Sequence, residues 1–156
     1  MVNENRRCGM CSKPIPAHKV QFARRVEQME VVEKDGKQFK SMNVFANDVF
    51  MEFCSHTCWA GRELEVIAAY ELKATYPAFQ WVASCSRCGA PVNRTKPYVT
   101  LNIYEAIDES KPWVNVERML DDKELAVLCP MCDAPAEAKS EQIVNELADL
   151  EPNQTT

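Results

Sequence analysis

Nowhere does the chain run 18 apolar residues together, so no membrane-spanning helix is expected. Its first seven residues, Met1 to Arg7, hold no apolar stretch either, and no signal peptide is expected. No low-complexity segment interrupts it, and with hydrophobic residues at 46% wholesale disorder is excluded. Histidine is scarce: there are two, His18 and His56. Carboxylates are plentiful but do not cluster with them, so no nucleophile or acid–base constellation stands out and no enzyme is expected. Finally, no cysteine is left over. All eight fall into pairs, which turns the reading to what is present.

The pairs are Cys8-x-x-Cys11, Cys54-x3-Cys58, Cys85-x-x-Cys88 and Cys129-x-x-Cys132. Between the first two lie 42 residues, and between the last two, 40. One unit is therefore written twice: a short pair able to form a knuckle, a middle rich in strand signals, and a second pair at a helix start. Four thiolates so spaced suit one tetrahedral zinc, and two sets imply two structural zinc ions. A secreted disulfide framework is the competing reading. Its small stapled scaffolds are shorter than this chain, and two-residue gaps suit a shared metal better than bridges between distant loops. The near-equal spacings favour sequential pairing, Cys8, Cys11, Cys54 and Cys58 against Cys85, Cys88, Cys129 and Cys132, over a cross-brace. Cytoplasm is the expected compartment, since reducing conditions keep thiols available for metal.

Charge is uneven. The formal net charge is −5, and two zinc-tetrathiolate sites at −2 each would bring it to −9. Residues 1–40 hold nine Lys/Arg against five Asp/Glu, a net +4, while residues 41–156 carry a net −9. Arg6, Arg7, Lys13, Lys19, Arg24 and Arg25 form the candidate basic patch. An acidic protein is a poor non-specific binder of phosphate backbones, so weak or no nucleic-acid binding is expected.

In order along the chain, Gly9 frees the first knuckle to turn, and Pro14 and Pro16 stiffen its exit. Val20 to Lys34 reads as a strand with a bulge near Arg24–Arg25. Asp35-Gly36 is a hairpin signal. Lys37 to Phe45 would return, and Val49 to Phe53 would deliver Cys54. From Ser55 the pattern is helical, with Leu64, Ile67 and Ala68 on one face, and Pro77 stops it after Tyr76. In the second unit, Tyr98 to Ile107 alternates, with Thr100 and Asn102 on the face away from Val99, Leu101 and Ile103. Trp113 to Leu120 reads as the return strand with Val114 and Val116 inward. Pro130 and Asp133 suit a helix start, and Ile143, Val144, Leu147 and Leu150 make an apolar stripe. The fold class is α+β: two tandem treble-clef-like zinc modules, each a knuckle, a β-hairpin and an α-helix. The modules would span 1–76 and 85–150, joined by an apolar connector at 77–84 and followed by a loose tail at 151–156.

The stretches Cys8-x-x-Cys11-x-Lys13-Pro14-Ile15-Pro16, Asp35-Gly36-Lys37-x-Phe39 and Phe53-Cys54-Ser55-x-x-Cys58 resemble the TRASH-type or FCS-type treble clefs, which include a zinc-bearing ribosomal large-subunit family. The resemblance covers residues 8–60, with a more diverged copy at 85–150. It implies that Cys8, Cys11, Cys54 and Cys58 bind one zinc, and that a member would serve metal sensing, ribosome structure or protein docking. Treble-clef nucleases need a hairpin histidine and further ligands, a set this chain does not offer. The expected role is a zinc-binding protein-interaction module, a small regulator or adaptor on a larger cellular or viral nucleic-acid machine. Trp59, Trp113 and the long arm 20–45 would be its anchors. The alternative is a nucleic-acid-binding zinc finger protein, associated with transcription or the ribosome and using the basic N-terminal segment.

Overall fold

A computed structural model describes residues 3–133. Strands β1 (Asn3–Arg7) and β2 (Pro14–Ile15) flank the first cysteine knuckle. A long hairpin follows, β3 (His18–Lys34) and β4 (Lys37–Phe53), and then helix α1 (His56–Ala69). The order then repeats. Strands β5 (Val82–Ser84) and β6 (Pro91–Asn93) flank the second knuckle, and β7 (Tyr98–Asp108) and β8 (Glu117–Leu128) form the second hairpin. A second helical segment opens at Pro130, and the described residues end at Asp133. The architecture is mixed and mostly sheet. The stripe from Ile143 to Leu150 and the tail from residue 151 lie outside the described residues.

The two hairpins are one sheet. Its strand order is β4-β3-β7-β8, and β3 pairs with β7 from His18↔Ile107 to Glu27↔Tyr98 without a register shift. Both inner strands are thereby buried on their two faces. This is why Thr100 and Asn102, whose polarity suggested a solvent face, are 0% and 2% exposed. The predicted bulge on β3 lies instead on β4. There Phe50 and Phe45 are the extra residues, opposite the Phe22–Ala23 and Val26–Glu27 steps, and β4 runs unbroken where two strands were expected. Asp35 and Gly36 take φ of 54° and 73°, the mirror-image turn that matches the twist of a two-residue hairpin. Beyond Glu27 no third strand joins among the described residues, so residues 28–43 continue as a two-stranded ribbon. It is anchored at its base, where the Met29 N–H donates to the Arg94 carbonyl and the Gln28 amide to that of Thr95, both at 2.8 Å.

Helix α1 is shorter than the sequence suggested. Ser55 caps its start, its Oγ accepting from the Cys58 N–H at 3.2 Å. It ends at Ala69 because Glu71 turns left-handed (φ 56°) and the N–H groups of Glu71 and Leu72 donate to Ala68 and Ile67. These are the two bonds of a Schellman stop, made here without the usual glycine. Its buried face is Trp59, Arg62 and Val66, whereas Leu64, expected inward, is 80% exposed. Trp59 stacks on Phe22 at 6.0 Å, and Phe53 and Tyr70 meet these rings edge-on. Strand β8 begins only at Glu117, so Val114 and Val116, expected to face inward, lie exposed on the hairpin tip beside Trp113.

The connector after α1 packs through its backbone. Lys73 and Ala74 donate to the Ser86 carbonyl, and Tyr76 donates to that of Leu125. The Phe79 ring packs against the Lys40 ammonium, 3.7 Å from its centre, and the buried Arg94 guanidinium, at 5.1 Å.

Phe22 is fully buried at the centre of this aromatic cluster. Phe22→Ala is expected to cost about 3–5 kcal/mol in equilibrium unfolding of the metal-loaded protein. Leu64→Ala should stay within about 0.5 kcal/mol. Equal effects at the two positions would refute the packing described.

Candidate metal centres

Each knuckle is held by the same backbone bonds. Cys8 N–H donates to the Lys13 carbonyl at 2.8 Å, and Cys85 N–H to that of Ala90 at 2.7 Å, both five residues on. Ser12 N–H returns to the Cys8 carbonyl, and Gly89 N–H to that of Cys85. These two residues are left-handed, with φ of 62° and 81°. The residue after each first cysteine, Gly9 or Ser86, donates to a carbonyl two positions before the third, Glu52 or Val127. Gly9 has a different role from the one expected. Its own conformation is not left-handed, but a Cβ there would come within 2.7 Å of Met51 Cε. Glycine thus lets the knuckle pack closely on the Met51 and Phe53 side chains of β4, where a Cβ would make the Met51 methyl shift.

These bonds bring the cysteines into two sets, Cys8, Cys11, Cys54 and Cys58, and Cys85, Cys88, Cys129 and Cys132. Within each set the sulfurs lie within 4.8 Å of one another. Cys11 Sγ is 3.5 Å from Cys54 Sγ, Cys54 Sγ is 3.4 Å from Cys58 Sγ, and Cys88 Sγ is 3.6 Å from Cys129 Sγ. A disulfide needs about 2.05 Å, and all eight thiols are free. Four sulfurs bound at about 2.3 Å around a tetrahedral ion stand about 3.8 Å apart, close to what is seen. The donor set therefore fits two metal ions, one per set.

The electrostatics also favour a cation. Burial alone would raise the Cys8 pKa, but the backbone N–H groups of Cys11, Cys54 and Met10 outweigh it and lower it to about 7. In the second set, N–H groups of Cys129, Cys88 and Arg87 overcome burial at Cys85 and bring it to about 6. The others move up. Burial and the neighbouring thiols Cys58 and Cys11 raise Cys54, and burial with Cys88 and Cys129 pushes Cys132 to about 12. One thiolate in each set is stabilised by the knuckle, and a dication would favour the ionised form of the thiols that burial raises.

Other side chains brace the centres, and sequence patterning gave no signal for them. Arg62, 2% exposed on α1, donates from Nε to the Gly9 carbonyl at 3.0 Å, fixing the first knuckle to the helix. Arg24 forms a bidentate pair with Asp133 at 2.9 and 2.8 Å, tying β3 to the turn that carries Cys132. Four of the six residues in the candidate basic patch meet carboxylates. Arg6 and Lys19 reach Glu52, Arg24 reaches Asp133, and Arg25, 2% exposed, reaches Asp122 at 2.7 Å. Trp59, a candidate anchor, is 5% exposed and part of the core, while Trp113 is 81% exposed. His56, between Cys54 and Cys58 in sequence, hydrogen-bonds Glu105 at 2.8 Å, and His18 faces the same carboxylate.

Comparison with known protein families, curated proteins and solved structures finds no match, so the centres stand on their own geometry. No helix among the described residues is long and apolar enough to cross a membrane.

Native mass spectrometry should find two divalent ions per chain, and alkylation of the native protein should be slow at every thiol. Cys129→Ser should lose the second ion at chelator concentrations that leave the first in place. Because binding displaces protons, affinity should fall as pH drops below about 7, with the sets emptying in chelator competition. A mass deficit matching four disulfides would refute the assignment.

Proposed function

We propose that the protein is a non-enzymatic zinc-binding interaction module, a small adaptor or regulator docking on a larger nucleic-acid machine from a reducing compartment such as the cytoplasm. Its two zinc ions are structural, and each unit is a treble-clef-like finger of the TRASH or FCS type. Four sulfurs close the coordination of each ion, leaving no position for a substrate.

The observation that carries this reading is the ribbon of residues 28–43. Beyond the contacts of Met29 with Arg94 and of Lys40 with Phe79, its Val31, Val32, Phe39 and Met42 are 40–51% exposed, and Val44 and Phe45 are exposed at its base. Apolar side chains on a projecting, stiffened arm suit a protein partner, whose burial of them would be little screened by salt. The alternative, a nucleic-acid-binding finger, relies on basic residues of which four are engaged by carboxylates.

The test compares two variants that keep the centres intact. Val32→Ser with Phe39→Ser should abolish partner capture from the native cell while retaining two ions and the melting temperature. Duplex affinity should be about 10 µM or poorer at about 150 mM salt, the range of non-specific phosphate contacts. Submicromolar duplex binding, lost on Arg7→Glu with Lys13→Glu, would replace the docking role with the alternative.

A further inference from the structure

The chain has two histidines, 38 residues apart, and the fold carries both to one carboxylate. His56, the first residue of α1, places Nε2 2.8 Å from Glu105 Oε1. His18, the first residue of β3, places Nε2 3.6 Å from Glu105 Oε2. Asp121 joins them: the donor atoms of His56, Glu105 and Asp121 all lie within 4.8 Å of one another. Four separate elements thus contribute, namely β3, α1, β7 and β8.

The position of Asp121 is a backbone feature in its own right. Between Ile103↔Lys123 and Glu105↔Leu120, β8 carries two residues opposite Tyr104 alone, and Asp121 within this bulge is left-handed, with φ of 47°. Bulges re-aim a side chain out of the alternation of the strand. This one sets a second carboxylate beside the first. Glu105 is largely buried at 19% exposure, whereas His56 and His18 are 44% and 59% exposed, and all three line one cleft of about 270 Å³. Lys19 lines the same cleft, but its ammonium is matched by Glu52 at 3.5 Å and Glu117 at 3.4 Å.

A simple ion pair would need one imidazole and one carboxylate. Here Asp121 adds a second carboxylate within 4.8 Å, and His18 approaches the other oxygen of Glu105 at 3.6 Å; the carboxylates carry a charge of −2 that a dication would cancel. Imidazole nitrogen disfavours magnesium and calcium; Cys54 of the first centre also lines the cleft, but the four donors here hold no sulfur, unlike those of the two cysteine centres. We propose that His18, His56, Glu105 and Asp121 form a third metal site, taking a first-row transition dication such as Zn²⁺, Co²⁺ or Ni²⁺. The site is open to solvent and exchangeable, unlike the two closed centres, and goes beyond the docking role.

The experiment titrates Co²⁺ into the full chain with both cysteine centres already filled by zinc. One further ion should bind, with weak visible absorption and no sulfur-to-cobalt charge-transfer band, and native mass spectrometry should show two Zn²⁺ and one Co²⁺. The ring protons of both histidines should shift and broaden beside the paramagnetic ion. Glu105→Gln, His18→Ala and Asp121→Asn should each lower the affinity for Co²⁺ at least about tenfold, with both zinc ions retained. His56 is best left in place, because it lies between Cys54 and Cys58. Binding that stops at two ions in about tenfold molar excess of Co²⁺ would overturn the proposal. So would a third ion that leaves both histidine ring signals unmoved in the wild-type chain, a readout that does not depend on how any variant folds.

Discussion

The ladder between β3 and β7 is the constraint on which the rest of the molecule depends. Each hairpin alone would be two strands with one covered face, a marginal object in water. Joined through ten consecutive register pairs, they become a four-stranded sheet whose inner strands are buried on both sides. The main cluster of buried residues then runs from Cys8 and Phe22 through Leu101 and Leu128 to Cys132, so the two cysteine sets share one hydrophobic core. The core gives the knuckles a firm base, and bound ions would secure the loops that carry the cysteines, a division of labour suited to a chain of this size.

Much of each unit was legible because its signals are local. The cysteine spacing, the Asp35-Gly36 turn, the helical run from Ser55 and the strand signal from Tyr98 act over a few residues, and each has its counterpart in the structure. What was hidden depends on partners distant in sequence. Thr100 and Asn102 look like solvent-facing residues until β7 is known to lie between β3 and β8. Arg25, Arg62 and Arg94 look like surface charge, yet they are the three largest fully buried side chains. The end of α1 was hidden for a different reason: Glu71 occupies a left-handed position that usually declares itself with glycine. In the second hairpin the apolar spacing of Val114 and Val116 mimicked a strand that starts three residues later than Val114.

The buried charges form a connected network across the junction. Arg94 donates to Glu124 at 2.7 and 2.9 Å and to the Tyr98 hydroxyl at 3.2 Å, and Tyr98 donates to Glu27 Oε1 at 2.7 Å. Glu27 Oε2 lies 3.8 Å from Arg25, which is paired with Asp122. Burial raises the pKa of Glu27, only partly offset by the Tyr98 hydroxyl, so its ionised form weakens the fold as pH rises through the raised value. The network is therefore a poor source of stability for its size. Its effect is on register: a one-residue slip of β3 against β7 would turn Arg25 and Glu27 to the opposite face, away from Asp122 and Tyr98.

That specification matters because the two units are alike. With the 77-residue offset of the knuckles, Arg24 corresponds to Leu101, and these two are register partners. The inner strands thus meet about a local two-fold axis, and a two-fold junction between similar hairpins invites a false version of itself, β3 of one molecule against β3 of another. In the same register that pairing sets Arg24 directly opposite Arg24 and separates Glu27 from Tyr98. Like charges in facing positions destabilise a ladder, and a buried carboxylate without its donor costs more. Within one chain the contact is Arg24 against Leu101, with the guanidinium drawn aside to Asp133. The difference between the units at their shared axis favours the intramolecular sheet over its symmetric competitor.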